Sequence, residues 1–226
     1  IEIKDAIYRG RPDFVYRITL GELPYITGVF PLGAPAGAAA TARLSGWNLP
    51  TDTLTIDARD MTPGIRPLSV CQGEMISNTL PFSVDTLPEC LDKEPNDSTP
   101  AAQAVTLPGI VNGRIGRPDD WDVFRFEGRA GQELIAEVQA RRLESPLDSV
   151  LELFDATGKR LALNDDHEDK FDHLRTHHAD SLIRFTLPAD GVYDVRLGDA
   201  QCHGGEEYAY RLRLSGPQPD FELRVA

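Results

Sequence analysis

Four oxygen-bearing side chains crowd positions 92 to 97: Asp92, Glu94, Asn96 and Asp97. In an extended segment alternate residues share a face, so Asp92, Glu94 and Asn96 can converge on one side while Asp97 closes a turn. Two further carboxylates, Asp119 and Asp122, stand just ahead of the apolar pair Val123-Phe124, and Asp120 can replace Asp119. Carboxylates brought together repel unless a cation neutralises them. Calcium is a hard ion that takes about six to eight oxygens at about 2.3–2.6 Å, which suits a set made of Asp92, Glu94, Asn96, Asp97, Asp119 and Asp122. Pro95, Asn96, Asp97 and Ser98 are also the standard turn formers, so the stretch taken alone reads equally as a plain turn.

Other groups invite weaker readings. Asp148, Asn164, Asp165, Asp166 and Asp180 offer a second oxygen set, against which stands their ordinary use as Asx-turns in exposed loops. His167, His173, His177 and His178 lie close together in the chain, and imidazole suits zinc, copper or nickel, but the spacing fits no helical zinc pair and a solvated loop is the simpler account. Arg141 and Arg142, read as strand neighbours, would point to opposite faces as a solvated pair. Trp47 and Trp121 read as core-edge residues. Tyr208 and Tyr210 share a face by alternation and could line a ligand platform or simply belong to the core.

The charge narrows the partners. A formal net charge of -13, from 36 acidic and 23 basic residues, opposes nucleic acid and anionic membranes and favours cations. No apolar run approaches the roughly 18 residues needed for a spanning helix, so membrane insertion is not expected. Cys71, Cys90 and Cys202 match no zinc spacing; Cys71 and Cys90 could pair in an oxidising compartment, or all three could be unrelated thiols. No Gly-x-Ser-x-Gly, His-Glu-x-x-His or phosphate-cradling glycine loop is present, and the chain is expected to be non-enzymatic.

The elements that must position these residues read as strands. Short alternating runs such as Phe14 to Leu20 and Asp122 to Phe126 recur between turn residues, and 17 prolines and 19 glycines punctuate them. The expectation is an all-β chain of two β-sandwich domains. An internal repeat aligns Gly10-Arg-Pro-Asp-Phe-Val-Tyr-Arg-Ile-Thr-Leu-Gly21 with Gly204-Gly-Glu-Glu-Tyr-Ala-Tyr-Arg-Leu-Arg-Leu-Ser215. Both are read as closing strands, which makes residues 1–23 the terminal strand of a preceding module, expected to dock on a neighbouring sheet. A polar, proline-bearing stretch near residue 88 marks a second boundary, and 217–226 reads as a linker to a next module.

Two resemblances extend these readings. Pro24-Tyr-Ile-Thr-Gly-Val-Phe-Pro31, followed by Leu44-Ser-Gly-Trp-Asn-Leu49, resembles the immunoglobulin-like IPT/TIG family over residues 24–88, with Ile26 and Val29 facing the core. Residues 89–216 resemble the bacterial pre-peptidase C-terminal domain, a jelly-roll-like sandwich. The blocks that carry this are Glu94 to Asp97, Asn112 to Ile115, Asp119 to Phe126, Asp148 to Asp155, Leu161 to Asp166 and Asp180 to Arg196. The second resemblance implies calcium at Asp92, Glu94, Asn96, Asp97, Asp119 and Asp122. It further implies an extracytoplasmic structural or adhesion module of a large exported bacterial protein. The other reading it allows is a module that binds extracellular polysaccharide or protein fibres, with Tyr208 and Tyr210 on its ligand face.

Overall fold

The computed structural model describes residues 2–167 and 179–218. Regular structure among them is β-strand with two single-turn 3-10 helices, as an alternating, turn-punctuated sequence requires. No helix among the described residues is long and apolar enough to cross a membrane.

The first unit contains β1 (Tyr25–Phe30), β2 (Gly33–Pro35), β3 (Ala39–Trp47), β4 (Thr53–Asp57), β5 (Gly64–Leu68), β6 (Cys71–Gln72), β7 (Met75–Ile76) and β8 (Leu80–Asp85). Two three-stranded sheets, β1-β3-β4 and β2-β8-β5, enclose a core that includes Ile26, Val29, Leu44, Ile56, Phe82 and Val84. Gly46 is required where β3 crosses β1: a Cβ there would lie 2.0 Å from the Tyr25 carbonyl oxygen. Trp47, next in the strand, is 70% exposed rather than a core edge.

The second unit contains β9 (Glu89–Leu91), β10 (Gln103–Ala104), β11 (Gly109–Arg114), β12 (Trp121–Gly128), β13 (Glu133–Gln139), β14 (Ser149–Asp155), β15 (Arg160–Asn164), β16 (Leu182–Thr186), β17 (Gly191–Asp199) and β18 (Ala209–Ser215). They form two five-stranded sheets, β10-β12-β17-β14-β15 and β16-β13-β18-β11-β9, antiparallel except where β9 and β10 run beside β11 and β12. Alternate residues from both sheets, among them Phe124, Phe126, Leu151, Val195, Tyr210 and Leu212, make one buried core. Each fully buried side chain of this kind contributes about 1.5–3 kcal/mol.

The units pack closely. Leu143, from the 3-10 turn Arg141–Leu143, and Ala209 join the core of the first unit. The Arg114 guanidinium lies 3.6 Å from the Phe30 ring centroid, Arg213 pairs with Asp85 at 3.1 Å, and Ser83 donates to Gln139 at 3.0 Å. Arg211, 1% exposed, pairs with Glu89 at 2.7 Å and donates to Asn112 at 2.8 Å.

Three expectations are corrected. Residues 2–23 form no strand and dock on no sheet; Val15, Tyr16 and Leu20 are 88%, 72% and 71% exposed. An alternating segment becomes a strand only against a free sheet edge, and this one meets none among the described residues. Of the two readings left open for the cysteines, the Cys71–Cys90 pair is the one not seen: all three are free, with Cys71 in the β6–β7 hairpin of the first unit and Cys90 in β9 of the second. Arg141 and Arg142 lie on a 3-10 turn, where Arg142 pairs with Asp180 and Glu137 instead of facing water. The expected linker at 217–226 lies outside the described residues beyond 218, as do His173, His177 and His178.

Candidate metal centre

Alternation along β12 sends Asp122, Phe124 and Phe126 into the sandwich, so Asp122 enters the core as a charged residue at its rim. The segment after β9 crosses this rim. The Asp92 N–H donates to the Asn112 carbonyl at 2.9 Å, and the Val123 N–H donates to the Asn96 carbonyl at 3.0 Å. These two backbone bonds pin positions 92 and 96 between β11 and β12.

The side chains then meet. Ligand oxygens of Asp92, Glu94 and Asp122 lie within 4.8 Å of one another, and so do those of Glu94, Asp97 and Asp120. Asn96 is completely buried, its Nδ2 donating to Asp92 Oδ1 at 2.6 Å and its backbone N–H to Glu94 Oε2 at 3.1 Å. The Gly116 N–H donates to Asp120 Oδ2 at 2.8 Å. From beneath, the buried Tyr210 hydroxyl donates to Asp122 Oδ2. Arg117 reaches Asp97 Oδ2 at 3.1 Å and Asp120 Oδ1 at 3.4 Å from the solvent side.

What remains unsatisfied is informative. Asn96 Oδ1, Asp97 Oδ1 and Asp122 Oδ1 are buried acceptors without a hydrogen-bond donor, and Asp120 Oδ1 has only the Arg117 guanidinium at 3.4 Å. A buried acceptor without a partner costs about 1–3 kcal/mol. All are acceptors, set among two acidic triads that share Glu94, and the cation that reaches them, Arg117, does so from the solvent side. Titration tells the same story: burial first, then the negative charge of Asp92, pushes Asp122 up to about 9. Burial, then Glu94, pushes Asp92 up to about 6. Glu94 and Asp120 are raised by burial as well, and burial with Asp122 beside it holds the Tyr210 phenol well above its usual range.

The donor set is five carboxylates and one amide oxygen, without sulfur or imidazole. That chemistry fits a hard divalent cation of calcium's size. Asp92, Glu94, Asp97, Asp120 and Asp122 with Asn96 Oδ1 would hold it.

Asp119 does not join this cluster. Its φ of +61° turns the side chain outward, its N–H donates to the Cys202 carbonyl at 3.1 Å, and Asp120 takes the inward place. The second oxygen set is not brought together as a cation site among the described residues. Asp180 is consumed by the N–H groups of Ala140, Arg141 and Arg142 and by Arg142 Nε at 2.6 Å. Asn164 Oδ1 accepts from the Leu182 N–H, and Asp148 faces Gln201. Asp165 and Asp166 give only their backbone carbonyls, to Ser181 and Asn164. The tyrosine platform is corrected too: Tyr210 is completely buried and Tyr208 packs partly buried against the same core. What linear spacing could not reveal was Tyr210 as the partner of Asp122; the only sign was a Tyr-Arg pair occurring in both copies of the repeat.

Several known proteins resemble this chain. A probable subtilase-type serine protease of Deinococcus radiodurans is 36% identical over 150 residues, which is 62% of this chain but 19% of that protein's length. Among solved structures, the pre-peptidase C-terminal domain of a Bacillus anthracis collagenase aligns at 16% identity and a TM-score of 0.37, over 50% of this chain and 93% of that one. A periplasmic inhibitor of g-type lysozyme from Aeromonas hydrophila aligns at 16% identity and 0.35, over 51% and 98%. The family model of the bacterial pre-peptidase C-terminal domain matches residues 120–198, from Asp120 of the oxygen cluster to the end of β17.

Proposed function

We propose that the chain is a non-catalytic, calcium-binding structural or adhesion module of a large exported multidomain bacterial protein. Its first unit is read as an IPT/TIG-like immunoglobulin fold, and its partners are neighbouring domains of the same protein. The observation that carries the cation reading is the set of buried oxygens on Asn96, Asp97 and Asp122 with no donor, beside two acidic triads that share Glu94. The family match and the subtilase-type relative support the export and the multidomain setting.

The mechanism follows from where the oxygens come from. Asp92 to Asp97 lie between β9 and β10, where the chain passes from one sheet of the second unit to the other, whereas Asp120 and Asp122 precede and lie in β12. A cation shared by both sets would tie this sheet-to-sheet segment to the start of β12. Without a cation Asp122 is held protonated or its charge is buried; with calcium present, Asp92, Glu94, Asp97, Asp120 and Asp122 would hold it as ionised ligands, and the ion would supply the missing positive charge.

Because such an ion binds only the folded chain, it stabilises by mass action, about 2.7 kcal/mol when calcium stands a hundredfold above its dissociation constant. For a chain of this size that is a rise of roughly 5–10 °C in melting temperature. Calorimetric melts in EDTA and in millimolar calcium test it, and superimposable melts refute it.

A further inference from the structure

The repeated segment now has an address in the fold. Its second copy is the central strand β18, flanked by β11 and β13. The inward side chains of that strand, Tyr210, Leu212 and Leu214, with Tyr208 just ahead, pack on the core of the second unit. The outward ones face the first unit: Ala209 enters its core, Arg213 pairs with Asp85, and Arg211 fills the space beside Gly33, where a Cβ would lie 2.6 Å from the guanidinium.

Set against this, Phe14, Tyr16, Ile18 and Leu20 keep the inward positions aromatic or branched apolar, with Tyr16 matching Tyr210 and Leu20 matching Leu214. Arg17 matches Arg211. Two of the three outward positions that meet the first unit change: Ala209 is matched by Val15, and Arg213 by Thr19. What serves the sandwich core is kept, and of the residues that meet this neighbour only the arginine that also pairs with Glu89 is kept. Yet all these inward residues of the first copy stand in water, from 44% exposed at Phe14 and Ile18 to 72% at Tyr16.

We propose that residues 14–20 are the central closing strand of a second sandwich of the β18 type, one that supplies its own equivalents of β11 and β13. In that partner Tyr16 meets a buried carboxylate at a rim cation site, and Arg17 meets an acid like Glu89. The occupant of this exposed segment is therefore a sandwich lacking that strand, not an edge of the present one. Tyr16's carboxylate rests on the cation reading above, whereas the strand assignment does not.

A graft in the full chain tests the strand assignment. Residues Tyr208 to Leu214 are replaced by the sequence of Phe14 to Leu20, once entire and once with Ala209 and Arg213 retained; a third variant carries the sequence of Val15 to Gly21, shifted by one residue. All are melted in EDTA, so that failure of calcium binding and failure of the strand assignment read separately. A cooperative melt within about 10 °C of the parent is expected for the graft that retains Ala209 and Arg213. The entire graft should fall below it, and the shifted graft, whose inward and outward faces are exchanged, should show no cooperative transition. If neither in-register graft melts cooperatively, or if the shifted one melts as they do, the proposal is overturned.

Discussion

Loading the oxygen cluster with calcium at pH 7 should expel about one proton per ion. Asp122, held at about 9, is about 99% protonated at that pH, and Asp92, at about 6, is roughly 10% protonated. A coordinated carboxylate is ionised, so binding releases about 1.1 protons at pH 7 and close to two at pH 5, where both acids start protonated. Apparent affinity should accordingly fall about tenfold per pH unit between pH 9 and 6, and about a hundredfold per unit below that. Isothermal titration of EDTA-stripped, dialysed protein in buffers of different ionisation enthalpy measures the number directly, as the slope of observed against buffer enthalpy. A slope near zero at pH 7, with calcium still binding, would mean that these carboxyls are already ionised in the empty site and would refute the electrostatic reasoning.

Related outcomes follow from the same geometry. In EDTA, Asp122 and Asp92 have folded-state pKa values raised above their unfolded ones, so their contribution to stability is full in acid and is lost as pH rises from about 4 through about 6 and about 9. Calcium-free protein should therefore melt higher at pH 5 than at pH 8, and millimolar calcium should raise the pH 8 melt most. Asp122→Asn keeps an acceptor for Tyr210 and cannot ionise, so at pH 8 it should melt no lower than the parent in EDTA while losing the response to calcium. Asp180→Ala strands three backbone N–H groups and Arg142; chemical denaturation should show a loss of about 3–5 kcal/mol with an unchanged calcium titration midpoint, since Asp180 lies outside the oxygen cluster.

Much of the strand content and part of the site were legible in the sequence, because both are local. The alternation of Asp122, Phe124 and Phe126 needs only the period of a strand, and Asp92, Glu94 and Asn96 lie close together in the chain. Between Asp119 and Asp120 the sequence left both open; the left-handed backbone at Asp119 decides which of two adjacent acids turns inward, and composition does not encode it. β18 defeats simple alternation, because its outer face is covered by the first unit and six of its seven residues are buried. That burial turned Tyr210 from a candidate ligand platform into the hydroxyl beneath Asp122. The second oxygen set does not converge among the described residues because Asp180 satisfies itself on backbone N–H groups some forty positions earlier in the chain, a long-range pairing invisible in spacing.

Diffraction from crystals grown in millimolar calcium addresses the central claim most directly. A bound calcium ion would give a peak heavier than water at the rim of the second sandwich, with Asn96 Oδ1 and Asp122 Oδ1 about 2.3–2.6 Å away and oxygens of Asp92, Glu94, Asp97 or Asp120 completing the shell. Ordered waters alone, or a lysine or arginine folded in to satisfy those oxygens, would contradict it.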